Sequence, residues 1–199
     1  MDKEIIGITG LFCAGKSAVE KIMQDEFGYS VIDLDKIGHI ALKEKENDII
    51  KKFGDYIIKD ASIDRKKLGE IVFNDKKKLY TLNQIVWPFM IEYVEKKIKE
   101  IDSKKIVISG AVLFEMGLNR FCDKIFVIRS NIFNIFKRAK KRNGYSICKT
   151  ISILKKQKVL KLAKKNKKNT EIIYVNNNSD IESLKKLLKI KIWGAIYVR

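Results

Sequence analysis

The eight residues Gly10-Leu11-Phe12-Cys13-Ala14-Gly15-Lys16-Ser17 constrain this chain more than any other stretch. They fit G-x-x-x-x-G-K-S/T. They stand between an apolar run, EIIGIT at 4–9, and a segment of helical spacing from about Ser17 to Glu26. A strand that turns through glycines straight into a helix is the setting in which this pattern cradles phosphate. The glycines let backbone N–H groups turn inward around phosphate oxygens, and the helix adds the positive end of its dipole. Gly10, Leu11, Phe12, Cys13, Ala14, Gly15, Lys16, Ser17 and Ala18 are therefore the candidate nucleotide contacts. Lys16 would reach the β- and γ-phosphates, and the Ser17 hydroxyl would hold Mg2+. Cys13 reads as a tolerated small residue, although a thiol beside a helix N-terminus is also open to acidification and oxidation.

The rest of the chain supplies the sheet that such a loop needs. Short apolar runs at 30–33, 105–109, 124–129 and 171–175 read as four further strands. Between them lie helical patterns: about Ile37 to Phe53, 66–100 with Pro88 as a break, most of 131–165 with a turn at Asn143-Gly144, and Asp180 to Lys189 with Asp180 as its cap. The apolar tail 190–199 has no evident place. Strands alternating with helices indicate an α/β protein with a doubly wound, mostly parallel five-stranded sheet. At 199 residues, with one proline and no linker-like stretch, the chain reads as a single domain.

Charge and cysteines narrow the field. The formal net charge is +18, and residues 124–170 hold 16 Lys or Arg with no Asp or Glu. Such a block suits nucleic acid, an anionic membrane or polyphosphate ligands, or is a solvated face in a lysine-rich composition. The three cysteines, Cys13, Cys122 and Cys148, lack metal-ligand spacing and read as reduced thiols. No apolar run approaches the roughly 20 residues of a membrane span. The charged start Met1-Asp2-Lys3-Glu4 is unlike a signal peptide, so the cytoplasm is the expected compartment.

Asp33-Leu34-Asp35 follows the second strand. In a doubly wound sheet the carboxyl ends of the strands share one crevice, so Asp33 is the candidate general base. Capping of the following helix is the competing reading, and Asp35 suits that role better because it precedes the helix. The lone His39 reads more readily as a packed or surface residue than as a substrate contact.

The segments, taken in order, resemble the dephospho-coenzyme A kinases: GITGLFCAGKS at 7–17, YSVIDLDKIGH at 29–39, IDRKKLGEIVFND at 63–75, LNQIVWPFM at 82–90, VLFEMGL at 112–118, CDKIFVI at 122–128, KRNG at 141–144 and the Asn run at 176–178. The resemblance implies transfer of phosphate from ATP to the ribose 3′-hydroxyl of dephospho-CoA, with Mg2+. It implies a core at 1–50, 101–136 and 166–199, a helical substrate region at about 51–100 and a lid at about 137–165. Asp33 then matches the general base, Arg142 the lid arginine, and Arg65 and Glu115 positions on the substrate side. The chain departs from the pattern at Ser109, where an aspartate usually ends the strand. It departs also at Ala111, Trp87, Asn143, Ile153 and Asn176. The implied partner is a small molecule, with no nucleic acid or membrane and with a monomer or weak homo-oligomer as the expected state. Two alternatives remain at this point: a phosphate-loop kinase for another small acceptor such as a nucleoside monophosphate, and a non-catalytic nucleic-acid-binding protein that keeps a nucleotide site.

Overall fold

The computed structural model describes residues 3–60 and 62–194. In chain order the elements begin with β1 (Glu4–Gly10), α1 (Lys16–Asp25) and β2 (Ser30–Asp33). Next come α2 (Leu34–Glu44), α3 (Glu46–Phe53), the two-residue strands β3 (Ile58–Lys59) and β4 (Ser62–Ile63), α4 (Arg65–Val72) and α5 (Lys76–Glu100). The chain then returns to β5 (Lys105–Ser109), β6 (Lys124–Arg129), α6 (Ile132–Asn143), α7 (Ile147–Lys156), α8 (Val159–Asn166), β7 (Glu171–Asn176) and α9 (Ile181–Trp193).

These elements form two compact units, one of residues 1–32 and 102–199, the other of residues 33–101. The first unit is built on a five-stranded sheet in the order β2-β5-β1-β6-β7. β1 pairs in parallel with β5 and with β6, and β6 with β7. Side chains alternate across each strand. Ile6 and Ile8 of β1 therefore join Phe126, Ile128, Val107 and Val175 under Val19, Ile22 and Met23 of α1 and Leu184, Leu188 and Ile192 of α9. Gly7 points to the opposite face, where an added Cβ would meet Cys122 Sγ and Ile125 at 3.0 Å. Strands buried on both faces explain why 4–9, 105–109 and 124–129 read as unbroken apolar runs.

The second unit is helical, with the β3–β4 hairpin between α3 and α4. Its long helix α5 buries Leu82, Val86, Met90 and Val94 at four-residue intervals. Pro88 does not break it. Pro88 and Gln84, the residue whose carbonyl loses its helical partner to the proline, both lie on the exposed side of the helix. The expected helix from Ile37 to Phe53 is instead two, interrupted at Lys45 (φ −104°, ψ 19°). Asp180 caps α9 as expected, its carboxylate accepting from Ser183 N at 2.9 Å. That helix runs on to Trp193, whose ring meets Phe27 edge-on at 5.1 Å. The first part of the apolar tail thus closes the core, and residues 195–199 lie outside the described residues.

Candidate active site

The turn after β1 is shaped from behind by side chains that hold its carbonyls outward. Arg138, in the second half of α6, donates from Nη1 to Ala14 O at 3.0 Å and to Cys13 O at 3.5 Å. Asn177, 5% exposed just past β7, donates from Nδ2 to Ala14 O at 3.0 Å. In a trans peptide the C=O and N–H point in opposite directions, so anchoring the carbonyls on one side turns the next amides to the other. The backbone pays in unusual dihedrals: Cys13 has φ 54° and Gly15 φ 95°. Gly15 also leaves no room for a side chain, since a Cβ there would stand 2.0 Å from Asn177 Nδ2. A Cβ on Gly10 would stand 2.5 Å from Ile128 O. Both glycines of the motif are thus fixed by close approach.

Gly15 is the N-cap of α1 and offers no side-chain acceptor, and the first turn carries no acid. The positive end of the helix is therefore directed at the loop. Lys16 pairs with Glu20 at 3.0 Å, their side chains 18% and 15% exposed. Ser109, fully buried at the end of β5, donates its hydroxyl to the same Glu20 oxygen. Ser17 is exposed at the first turn. Oxygen donors of this kind, a hydroxyl with a carboxylate one turn on, suit a hard cation such as Mg2+. Among the described residues no group of three or more His, Cys, Asp or Glu is placed to bind a metal directly.

Residues 142–157 approach the loop from above. Asn143 Oδ1 lies 4.0 Å from Cys13 Sγ, Gln157 Oε1 accepts from Phe12 N at 2.9 Å, and the Tyr145 ring stacks on Phe12 with centroids 6.0 Å apart. Lys149 Nζ sits 4.0 Å above the Tyr145 ring. Arg142 is exposed in the last turn of α6, near enough to favour the Cys13 thiolate. Burial outweighs that attraction and raises the Cys13 pKa. The acidified thiol considered from sequence is therefore not found: desolvation outweighs the charges of Arg142 and Arg138 here.

Glu115 lies in the turns after β5, with Oε2 buried and without a hydrogen-bond partner. Desolvation raises its pKa, opposed by the nearby Lys158. Asp33 ends β2 and is itself the N-cap of α2, its Oδ1 accepting from Asp35 N at 2.9 Å and Lys36 N at 3.4 Å. The cap is thus Asp33, not Asp35, because the helix starts at Leu34. Arg65 is exposed at the start of α4, and His39 is exposed on α2. The structure therefore gathers Lys16, Ser17, Cys13 and Arg142 in the sheet unit, while Asp33 and Arg65 belong to the helical unit. Sequence reasoning missed Arg138, Asn177, Glu20 and Gln157. A signal existed for two of them: Arg138 and Arg142 are four residues apart on one helix, and Glu20 is four residues from Lys16.

A parallel sheet whose middle strand runs into a braced phosphate loop defines a phosphate-loop NTPase fold. Solved structures agree. A Thermus thermophilus protein superposes with a TM-score of 0.81 at 23% identity, covering 96% of this chain and 97% of that one. A Campylobacter jejuni dephospho-CoA kinase does so at 0.59 and 21%, covering 96% of each chain. At these identities the likeness shows the fold. The family comes from sequence: the dephospho-CoA kinase family model matches residues 4–183. The dephospho-CoA kinase of Borreliella burgdorferi is 36% identical over 198 residues, 96% of this chain and 94% of that protein. That of Fusobacterium nucleatum is 37% identical over 186 residues, 92% and 93% of the two chains. The chain belongs to the dephospho-CoA kinase family.

Proposed function

We propose that the chain transfers the γ-phosphoryl group of ATP to the ribose 3′-hydroxyl of dephospho-CoA, giving coenzyme A and ADP. Family membership over nearly the whole chain carries this reading. The braced loop at the N-terminus of α1 supports it. In the transfer, the acceptor oxygen forms a bond to the γ-phosphorus as the bond to the β,γ-bridging oxygen breaks. Asp33 takes the hydroxyl proton. Both capping N–H groups bind its Oδ1, so the cap leaves Oδ2 for that proton. Lys16 exchanges Glu20 for the β- and γ-phosphates and neutralises the charge spread over the group in transit. Arg142, whose fork suits paired phosphate oxygens, closes over them with the basic helices of the lid, 137–165. Arg65 and Glu115 take the acceptor-binding roles. Mg2+, held through Ser17, would screen the β- and γ-oxygens.

The second nucleotide-kinase reading, a nucleoside monophosphate acceptor, is tested in the same experiment. Purified protein with Mg-ATP is given dephospho-CoA, nucleoside monophosphates and gluconate, and ADP and product are quantified. Coenzyme A formed one for one with ADP is expected. Turnover of another acceptor and none of dephospho-CoA overturns the proposal. The enzyme is taken to work in the cytoplasm as a monomer or weak homo-oligomer, without nucleic acid. Among the described residues no helix is long and apolar enough to cross a membrane.

A further inference from the structure

Two donors from different elements converge on one oxygen of Glu20. Lys16 Nζ lies 3.0 Å from Oε1, and the buried Ser109 hydroxyl donates to the same atom. Phosphate-loop enzymes commonly hold their metal between a loop hydroxyl and a carboxylate on a nearby strand. Of the two strands beside β1, β5 (KIVIS) ends in a hydroxyl and β6 is KIFVIR, and neither carries an acid. The acid that pairs with the loop lysine comes from α1 instead. Glu20 stands three residues after Ser17, so its carboxylate and the Ser17 hydroxyl share a helix face. Ser109 fastens that carboxylate to the strand end. Both contacts fall on Oε1, leaving Oε2 free of them.

We propose that Glu20 is the positioning acid of the metal site in this chain, acting through metal-bound water. The proposal rests on reading the loop as a Mg-ATP site. A bound Mg2+ keeps several waters, and their protons need acceptors. Before nucleotide binds, the carboxylate is neutralised by Lys16. Once the phosphates take Lys16, the carboxylate accepts from the hydrated cation. A largely buried charge thereby has a positive partner in both states, which avoids the cost of leaving it unpaired. Ser109 keeps the carboxylate in place through the exchange.

The test measures ATP affinity by calorimetry, in EDTA and in Mn2+, together with bound Mn2+ by electron paramagnetic resonance. The proteins are the full chain, Glu20→Gln, Glu20→Ala, and the double variant Glu20→Ala with Ser109→Asp; circular dichroism confirms that each is folded. In Glu20→Gln, affinity for ATP with Mn2+ should fall by about 10-fold or more, as for other outer-shell partners of metals. Affinity for ATP in EDTA should rise, because Lys16 loses its competing partner and a negative charge is gone. The double variant, which returns a carboxylate to the strand end, should recover Mn2+ binding that Glu20→Ala alone lacks. Opposite signs for the two affinities mark a metal-positioning acid. Unchanged affinities, or shifts of the same sign, reduce Glu20 to a structural partner of Lys16 and overturn the proposal. If the wild-type chain gains no ATP affinity from Mn2+, the Mg-ATP reading of the loop falls as well.

Discussion

Replacing Arg138 by alanine removes the guanidinium that braces the phosphate loop from outside. Its Nη1 reaches Ala14 O (3.0 Å), Ser130 Oγ (3.1 Å) and Cys13 O (3.5 Å), and its Nη2 reaches Asn177 O (3.1 Å). A hydrogen bond involving a charged group is worth about 1.5–3 kcal/mol. The four do not add. Ala14 O keeps Asn177 Nδ2 at 3.0 Å, Asn177 O keeps Ser130 Oγ at 2.8 Å, and the 3.5 Å contact is at the limit of a bond. The net loss is then about 2–4 kcal/mol, little more than one full charged bond. For a chain of this size each kcal/mol lowers Tm by about 2–4 °C, so a fall on the order of 5–15 °C is expected in a thermal melt. Nucleotide binding suffers separately. If two peptide units of the loop must be ordered on binding, at about 1–2 kcal/mol each, the Kd for ATP rises by roughly 30-fold or more. Arg138→Lys keeps the charge but not the fork and should recover less than half of either loss. A wild-type Tm and a wild-type ATP affinity in Arg138→Ala would refute the bracing argument.

Lys16→Ala should lower the rate of phosphoryl transfer on the order of 10²–10³ with circular dichroism unchanged, measured by ADP release. Asp33→Asn should lower kcat by roughly 10²–10⁴ while Tm stays near wild type, since Asn caps a helix about as well as Asp; a variant with full rate places the proton acceptor elsewhere. Glu115 has its folded pKa raised by desolvation, so the folded state binds more protons than the unfolded chain between the ordinary glutamate pKa and the raised one. Stability from this residue therefore falls as pH rises through that window. Glu115→Gln should raise Tm relative to wild type at pH 7.5 and by less at pH 4.5; the same difference at both pH values would assign the effect to packing.

Much of the fold was legible because the sheet unit is simple in pattern. Strands buried on both faces show as apolar runs, and a parallel sheet needs helices between them. The phosphate loop was legible because its two glycines answer local demands, a left-handed φ at Gly15 and close backbone approach at Gly10. What did not show were the choices made by tertiary context. The crossing between units at 32–33 and 101–102 carries no glycine or proline run, so composition is silent there. Pro88 reads as a break because sequence does not reveal that it and Gln84 lie on the exposed side of α5. Asp33 and Asp35 both precede helical residues, and only the start of α2 at Leu34 decides which one caps.

Arg138, Asn177 and Gln157, which escaped sequence reading, share one property: each acts on backbone across a large separation. Asn177 meets Ala14 O from 163 residues away, and Gln157 meets Phe12 N from 145. A motif records the residues that face the ligand, because those are bound by its chemistry. It does not record those that hold the motif in shape, because a carbonyl oxygen accepts from any suitably placed donor. Ser109 and Glu20 carry the same lesson in the other direction. Read alone, a serine at the end of β5 is the loss of a charge. Beside Glu20 it is the anchor of one, and the carboxylate it holds belongs to the helix α1. A departure from a linear pattern therefore says little about lost chemistry until the neighbouring turn of α1 has been placed.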